Sequence, residues 1–246
     1  VDLTLSGTAN VWSNVQVSPN KGTAEALHFT MEGNSYVKCI FNSGGTDVVA
    51  GNITIDLKSG TITQMRKADI KETKEPTTGD ITVNLYGGFQ YGSDRFGTWD
   101  GVKTGTRTLN LIGFNGTLST GAAANYKVLC VKNASHVTYA GTLASGSTVT
   151  AETGSLLTLT GYESQAAAEA AGVVFAGISG NLLFAGEKIE YLDVVYLDGT
   201  LTESGDGKTA GTAVATFGDA FKLLDPEKGG TIVLCGEFRI TSQVDL

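Results

Sequence analysis

A short unit of alternating apolar and polar residues closed by glycine recurs through the first half of the chain. It reads LTLSG from Leu3, FTMEG from Phe29, IDLKSG from Ile55, VNLYG from Val83, LNLIG from Leu109 and VTYAG from Val137. Its second apolar residue falls at Leu5, Met31, Leu57, Leu85, Leu111 and Tyr139, so successive markers stand about 26–28 residues apart. Self-similarity at such a period marks a stacked repeat protein, in which each unit buries its apolar face against its neighbours. Strict alternation argues for strands with one buried face, and the glycine that follows permits a sharp bend. Between the markers lie further strand-like stretches, TDVVA from Thr46, TITQM from Thr61 and KVLCV from Lys127. Each repeat therefore holds two or three strands and almost no helix. Equivalent strands of neighbouring repeats would stack in parallel at about 4.8 Å. The expected fold is an all-β, right-handed parallel β-helix with coils of about 26–28 residues, its hand following from the general rule for parallel crossovers.

The same register sorts the side chains into columns. Leu3, Phe29, Ile55, Val83, Leu109 and Val137 form one inward column, and Leu5, Met31, Leu57, Leu85, Leu111 and Tyr139 a second. The outward columns read Asp2, His28, Thr54, Thr82, Thr108, His136 and Thr4, Thr30, Asp56, Asn84, Asn110, Thr138. A slip of one residue would exchange the two faces, so the contrast supports the register.

After residue 141 the spacing changes. LLTLTG from Leu156 follows the previous unit at a shorter interval, about 20 residues. A short helix is expected over SQAAAEAA, from Ser164 to Ala171. The solenoid reads as irregular from there, with apolar runs resuming at GVVFAG, NLLFAG and KIEYLDVVYL. Residues 1–197 are taken as one module. Residues 198–246 are taken as a boundary loop, a short capping helix opened by Thr216 to Asp219, and the first strand of a further module. Val1 already sits in a strand pattern and the first residues lack the basic start and apolar run of a signal peptide, so the sequence reads as a piece of something longer.

The segment GDGKTAGTAVATFGDAFKLLDPEKGGTIVLCGEFRIT, Gly205 to Thr241, resembles the opening segment of right-handed parallel β-helix domains of the pectate-lyase-like superfamily. There a GDG-type loop leads to a small capping helix, then GGTI and the first coil strand. GNITIDLKSGTI from Gly51 and GDITVNLYGGF from Gly79 are similar to β-helix repeats of large bacterial cell-surface proteins. The resemblance implies an exported, extracellular or cell-surface protein. It carries architecture more than activity, because its signatures are structural glycines and apolar alternation.

Composition narrows the partners. With 25 acidic and 17 basic residues the formal charge is -8, so no phosphate-neutralising surface is expected and nucleic acid is not a partner. No stretch approaches the roughly 18 apolar residues needed to span a bilayer, and no membrane insertion is expected. Cys39, Cys130 and Cys235 are odd in number, far apart and without metal-ligand spacing, which points to free thiols and neither a disulfide framework nor a metal site.

Candidate chemistry is thin. Hydrolysis of a polysaccharide needs two carboxylates within about 5 to 10 Å, and the outward acids offer only Asp56 with Glu32, one coil back and two residues along. His28 and His136, placed four coils apart in one column, would stand roughly 19 Å from each other and share no metal. GDGKT from Gly205 lacks the first glycine of a phosphate loop, Thr202 standing in its place. Asn-x-Ser/Thr sequons occur at Asn52, Asn115 and Asn133 and support no assignment. The loop YGGFQYGSDRFGTWDG is the most suggestive stretch: Tyr91, Phe96 and Trp99 lie among Asp94, Arg95 and Asp100. Aromatic faces with carboxylates and a guanidinium suit a glycan. No catalytic residue, metal or cofactor is assigned. The expected function is a non-catalytic segment of a surface protein, a rigid stalk or adhesive solenoid binding glycans or other surface components. The alternative is a polysaccharide lyase or glycoside hydrolase domain whose active site lies largely outside this segment. Ice binding is disfavoured because Asp, His and Asn interrupt the threonine columns.

Overall fold

In the computed structural model the described residues are 2–16, 26–41, 51–65, 79–91, 105–118, 126–225 and 228–236. Their strands in chain order are β1 (Asp2–Leu5), β2 (Asn10–Gln16), β3 (Leu27–Met31), β4 (Tyr36–Phe41), β5 (Ile53–Met65), β6 (Ile81–Tyr91), β7 (Arg107–Ile112) and β8 (Asn115–Leu118). There follow β9 (Val128–Lys132), β10 (His136–Tyr139), β11 (Thr148–Ala151), β12 (Leu156–Leu159), β13 (Val174–Ile178), β14 (Asn181–Phe184), β15 (Val194–Leu197) and β16 (Thr231–Leu234). Two short helices, α1 (Gln165–Ala170) and α2 (Phe217–Leu223), complete the regular structure with a 3-10 turn at Ala210–Thr212.

Parallel sheet dominates. The principal sheet runs β1-β3-β5-β6-β7-β9-β11-β13, with β2 and β4 joined to it through the second half of β5. A second sheet runs β8-β10-β12-β14, and β15 pairs β16. All these ladders are parallel. Each neighbour in the principal sheet is the next repeat, so the alternating residues of every repeat stack on those of the last. Phe29, Ile55, Val83 and Leu109, with Met31, Leu57, Leu85 and Leu111, are completely buried in one continuous core. Burying each such side chain contributes roughly 1.5–3 kcal/mol, which is why the columns hold the register.

Gly60 shows why a glycine follows the inward pair. It has φ of +106°, and a Cβ there would stand 2.6 Å from the carbonyl oxygen of Ser35. At this point β5 passes from pairing with β3 to pairing with β4. Only a residue without a Cβ fits both the dihedral and the close approach.

The columns expected from the sequence match the ladders from Asp2 to Thr108, where His28 lies opposite Asp2 and Thr54, and Thr82 opposite Thr54 and Thr108. They fail at the next step. Thr108 stands opposite Val128, and Asn110 opposite Cys130. His136, Val137, Thr138 and Tyr139 belong to the second sheet, where His136 lies between Asn115 and Leu156. The inward columns continue through Leu129 and Val131 instead of Val137 and Tyr139. The cause is local. The strand β9 ends at Lys132 and is followed by Asn133 and Ala134, with φ of 54° and 52°, so two non-glycine residues make the left-handed turn that a glycine makes elsewhere. The first glycine-closed unit after Leu109 is consequently the wrong strand of the repeat.

The change expected after residue 141 is a change of repeat length that begins earlier. Thr54 pairs with Thr82 and Thr82 with Thr108, but Thr108 then pairs with Val128 and Val128 with Thr148. The advance per repeat thus drops from about 26–28 residues to about 20, still within the range of stacked repeats. Both sheets stay in register through residue 141, and the step from Thr148 to Val174 is long again. That longer repeat contains α1, which begins at Ser164, whose hydroxyl accepts from the Ala167 amide at 3.2 Å, and which buries Ala168.

Beyond β14 a second, smaller core gathers Val195, Leu197, Val214 and Ala220. The loop at Gly205 leads to α2, whose first turn is closed by the Asp219 amide donating to Thr216 Oγ1 at 3.1 Å. Gly207, buried and with φ of +70°, lies against Val195, Val214 and Leu223. The strand β15 belongs to this cluster through its pairing with β16. The side-chain amide of Asn181 on β14 donates to the Lys222 carbonyl at 3.3 Å, linking α2 to the larger stack.

Candidate functional site

Each repeat of the principal sheet turns its polar positions to the outward face. In a parallel ladder the matching positions of successive repeats fall side by side, within reach of short polar side chains. Asn110 Nδ2 donates to Asn84 Oδ1 at 2.7 Å, and Asn84 Nδ2 donates to Asp56 Oδ1 at 2.6 Å. His28 Nε2 lies 2.7 Å from Asp56 Oδ2, and its Nδ1 lies 3.4 Å from Asp2 Oδ1. A carboxylate only accepts, so Nε2–H is the donor to Asp56. One carboxylate thus terminates two runs of donors arriving from opposite directions along the stack.

These groups are partly shielded. Thr30 and Asn110 are buried although they point away from the apolar core, and the side chain of Asp56 is mostly covered. Alongside, Lys58 Nζ lies 3.8 Å from Glu32 Oε2. The resulting strip carries an imidazole, three carboxylates, two amides and an ammonium on the first repeats. The acids considered together from the sequence, Asp56 and Glu32, have separate partners: Asp56 is held by His28 and Asn84, Glu32 by Lys58. His28 and His136 lie on different sheets, so the single column expected to contain both does not exist. The two ring nitrogens of His28 face different carboxylates on opposite sides, and the described residues contain no cluster of three His, Cys, Asp or Glu able to hold a metal ion.

His28 with Asp56 is the relationship that a search along columns passes over. Asp56 lies one repeat on and two positions further along the strand than the ladder partner of His28, which is Thr54, so the pair is diagonal. A search of neighbouring columns for His facing Asp would have found it.

Of the candidate glycan loop, the backbone of Tyr91 ends β6, while Asp94, Arg95, Phe96, Trp99 and Asp100 lie outside the described residues. The loop leaves from the half of β6 that pairs with Ser59 to Ile62. The polar strip lies on the other half, at Asn84.

A second set of side chains ties repeats together at the strand entrances. Asn52 Oδ1 accepts from the Asp80 amide at 3.0 Å, and Asp80 Oδ1 accepts from the Thr106 amide at 2.7 Å. Asn115 Oδ1 accepts from the His136 amide at 2.9 Å. The sequon asparagines Asn52 and Asn115 are therefore built into inter-repeat hydrogen bonds. In the smaller core the hydroxyls of Ser204 and Thr216, with Lys222 beside them, hold Asp219 below the usual carboxylate range. In the larger one, burial pushes the Tyr139 phenol up to about 12, with Tyr162 adding to the shift. Cys130 is buried and Cys235 half-buried, both as free thiols. No described helix is long and apolar enough to cross a membrane.

No family model matches the chain, and no curated protein or solved structure matches it.

Proposed function

We propose that the chain is a right-handed parallel β-helix segment, of the kind found in the pectate-lyase-like superfamily, from an exported bacterial surface protein. In this reading it serves as a rigid stalk or adhesive surface that binds glycans, outside the cell or on its surface. In this reading the strands through β14 make up one module, and β15 with the boundary loop, capping helix and β16 belongs to the next.

One observation carries the reading. The polar groups of the outward strip are turned on one another, Asp56 hydrogen-bonded to His28 and Asn84 and Glu32 ion-paired with Lys58 at 3.8 Å. Side chains so engaged stiffen a stack and leave little free to act on a substrate.

A polysaccharide lyase or glycoside hydrolase is the second reading. It is favoured by the approach of His28 to Asp56, since a carboxylate that orients an imidazole is the usual support of a general base. A glycan-array binding assay run beside reducing-sugar and unsaturated-product assays on acidic polysaccharides separates the two. Binding without turnover is expected. Turnover abolished by His28→Ala would establish the enzyme instead, and silence in both assays would leave a stalk without adhesive function.

A further inference from the structure

Trp12 is the most exposed large apolar side chain among the described residues, with 74% of its surface open. It stands on β2, whose ladder partner among the described strands is β4. Val11 lies opposite Val37 but Asn14 lies opposite Cys39, so β2 carries one more residue than β4 across this interval. The extra residue falls at Trp12 or Ser13. A bulge of this kind bends the strand and re-aims the side chain it carries. Here the indole is set beside the Tyr36 ring, with centroids 4.9 Å apart and planes 43° apart. Asn10, opposite Tyr36, and Lys38, further along β4, are exposed and give the aromatic pair a polar rim.

An exposed indole set against a half-buried tyrosine ring, with an exposed amide and ammonium on the same strands, matches the recognition chemistry of a sugar ring. The C–H face of a pyranose packs on the indole while its hydroxyls bond to the rim. Two other occupants fit less well. An extended peptide adding to the edge of β2 would need an unbroken row of backbone donors and acceptors, which the bulge interrupts. A polyanionic glycan would be repelled by a chain of net charge -8. We infer that Trp12 and Tyr36 form a stacking platform for a neutral hexopyranose ring, one with equatorial hydroxyls and an open apolar face. The inference rests on the glycan-binding reading above and places the contact on β2 and β4.

The chain has two tryptophans, Trp12 and Trp99, so Trp99→Phe leaves Trp12 as the sole indole reporter. That variant is titrated with soluble oligomers of β-1,4-linked glucose and of β-1,4-linked N-acetylglucosamine while its fluorescence is followed. Affinities of the parent, Trp12→Phe, Trp12→Ala and Trp99→Ala are measured by calorimetry. A saturable shift of Trp12 emission is expected with one of the two oligomers. A loss of at least tenfold in affinity is expected for Trp12→Ala, a smaller loss for Trp12→Phe, and parental binding for Trp99→Ala. The circular dichroism spectrum should be unchanged throughout. Binding retained in Trp12→Ala and lost in Trp99→Ala would overturn the platform and leave the glycan reading in place. No binding of either oligomer by the parent would overturn the platform, while hits on the glycan array would show whether the broader reading survives. A change in sedimentation of Trp12→Ala with sugar binding intact would make this face a contact between copies, and the platform would again fail.

Discussion

His28 on β3 reaches diagonally to Asp56 on β5, Nε2 to Oδ2 at 2.7 Å, while the other oxygen of the same carboxylate accepts from Asn84. Asp56 is the point at which donors from both directions along the stack meet. The pair also joins repeats that the backbone ladder already joins, so side chain and backbone reinforce one register.

Replacing Asp56 separates geometry from charge. Asp56→Ala leaves two donors facing each other across a gap and should cost about 1–3 kcal/mol. In Asp56→Asn the imidazole can reverse its tautomer and accept from the new amide, so the loss should stay below about 1 kcal/mol. Urea unfolding of the two variants measures both, and equal losses would show that the carboxylate's charge, and not its two acceptors, supports the strip.

The ladder between β7 and β9 places Asn110 opposite Cys130, on strands whose Cα atoms are about 4.8 Å apart, within the range that a disulfide spans. Asn110→Cys should therefore form a cross-link with Cys130 on mild oxidation. In a variant carrying both Asn110→Cys and Thr138→Cys, position 138 should not cross-link to position 110, because Thr138 lies on the second sheet. Peptide mapping under non-reducing conditions reads the outcome, and a cross-link from position 138 would restore the register expected from the glycine markers.

Gly60 and Gly7 both have positive φ, but a Cβ at Gly60 meets the Ser35 carbonyl while one at Gly7 meets nothing within 4 Å. Gly7→Ala should cost about 1–2 kcal/mol, the strain of a left-handed alanine. Gly60→Ala should cost more, about 2–5 kcal/mol, because the strand must also move away from Ser35. Equal losses of stability by thermal denaturation would mean that the backbone at Gly60 relaxes freely.

Tyr139 is buried and its phenol is held protonated up to about 12, whereas in the unfolded chain it would ionise near its ordinary value of 10.0. The folded state therefore holds this proton more tightly than the unfolded state. The contribution is fully present below pH 10 and is lost as the pH rises towards 12. Unfolding followed between pH 9 and pH 12 should show stability falling, and Tyr139→Phe should flatten that fall. An unchanged slope in the variant would place the alkaline transition elsewhere.

The alternation of Leu3 to Leu111 is enough to read the parallel stack, because period 2 in sequence becomes an inside and an outside once strands lie side by side. Ser164 before an alanine-rich run, and Thr216 just ahead of Asp219, are equally readable as helix starts. Two things stay hidden. The turn after β9 is made by Asn133 and Ala134, and although asparagine tolerates a positive φ, alanine gives no sign of one and no glycine marks the turn, so the marker passes to β10. The bond from His28 to Asp56 crosses from one outward column to the next, so a reading along single columns passes over it although the register places the two residues diagonally on adjacent repeats. Trp12 follows the inward Val11 and turns outward by the same alternation, but its place beside the Tyr36 ring comes from the pairing of β2 with β4.

The alternation of repeat length has a mechanical consequence. Backbone hydrogen bonds of a parallel stack lie along its axis, so a pull on the two ends loads them one layer after another. Each layer that peels away releases its own contour of chain. The short repeats, Thr108 to Val128 and Val128 to Thr148, hold less chain than those from Thr54 to Thr82 and Thr82 to Thr108. At about 3.4 Å per extended residue, a short layer would yield about 70 Å and a long one about 90 Å. Force against extension would then record two step sizes, and their order along the trace would name which end gave way first.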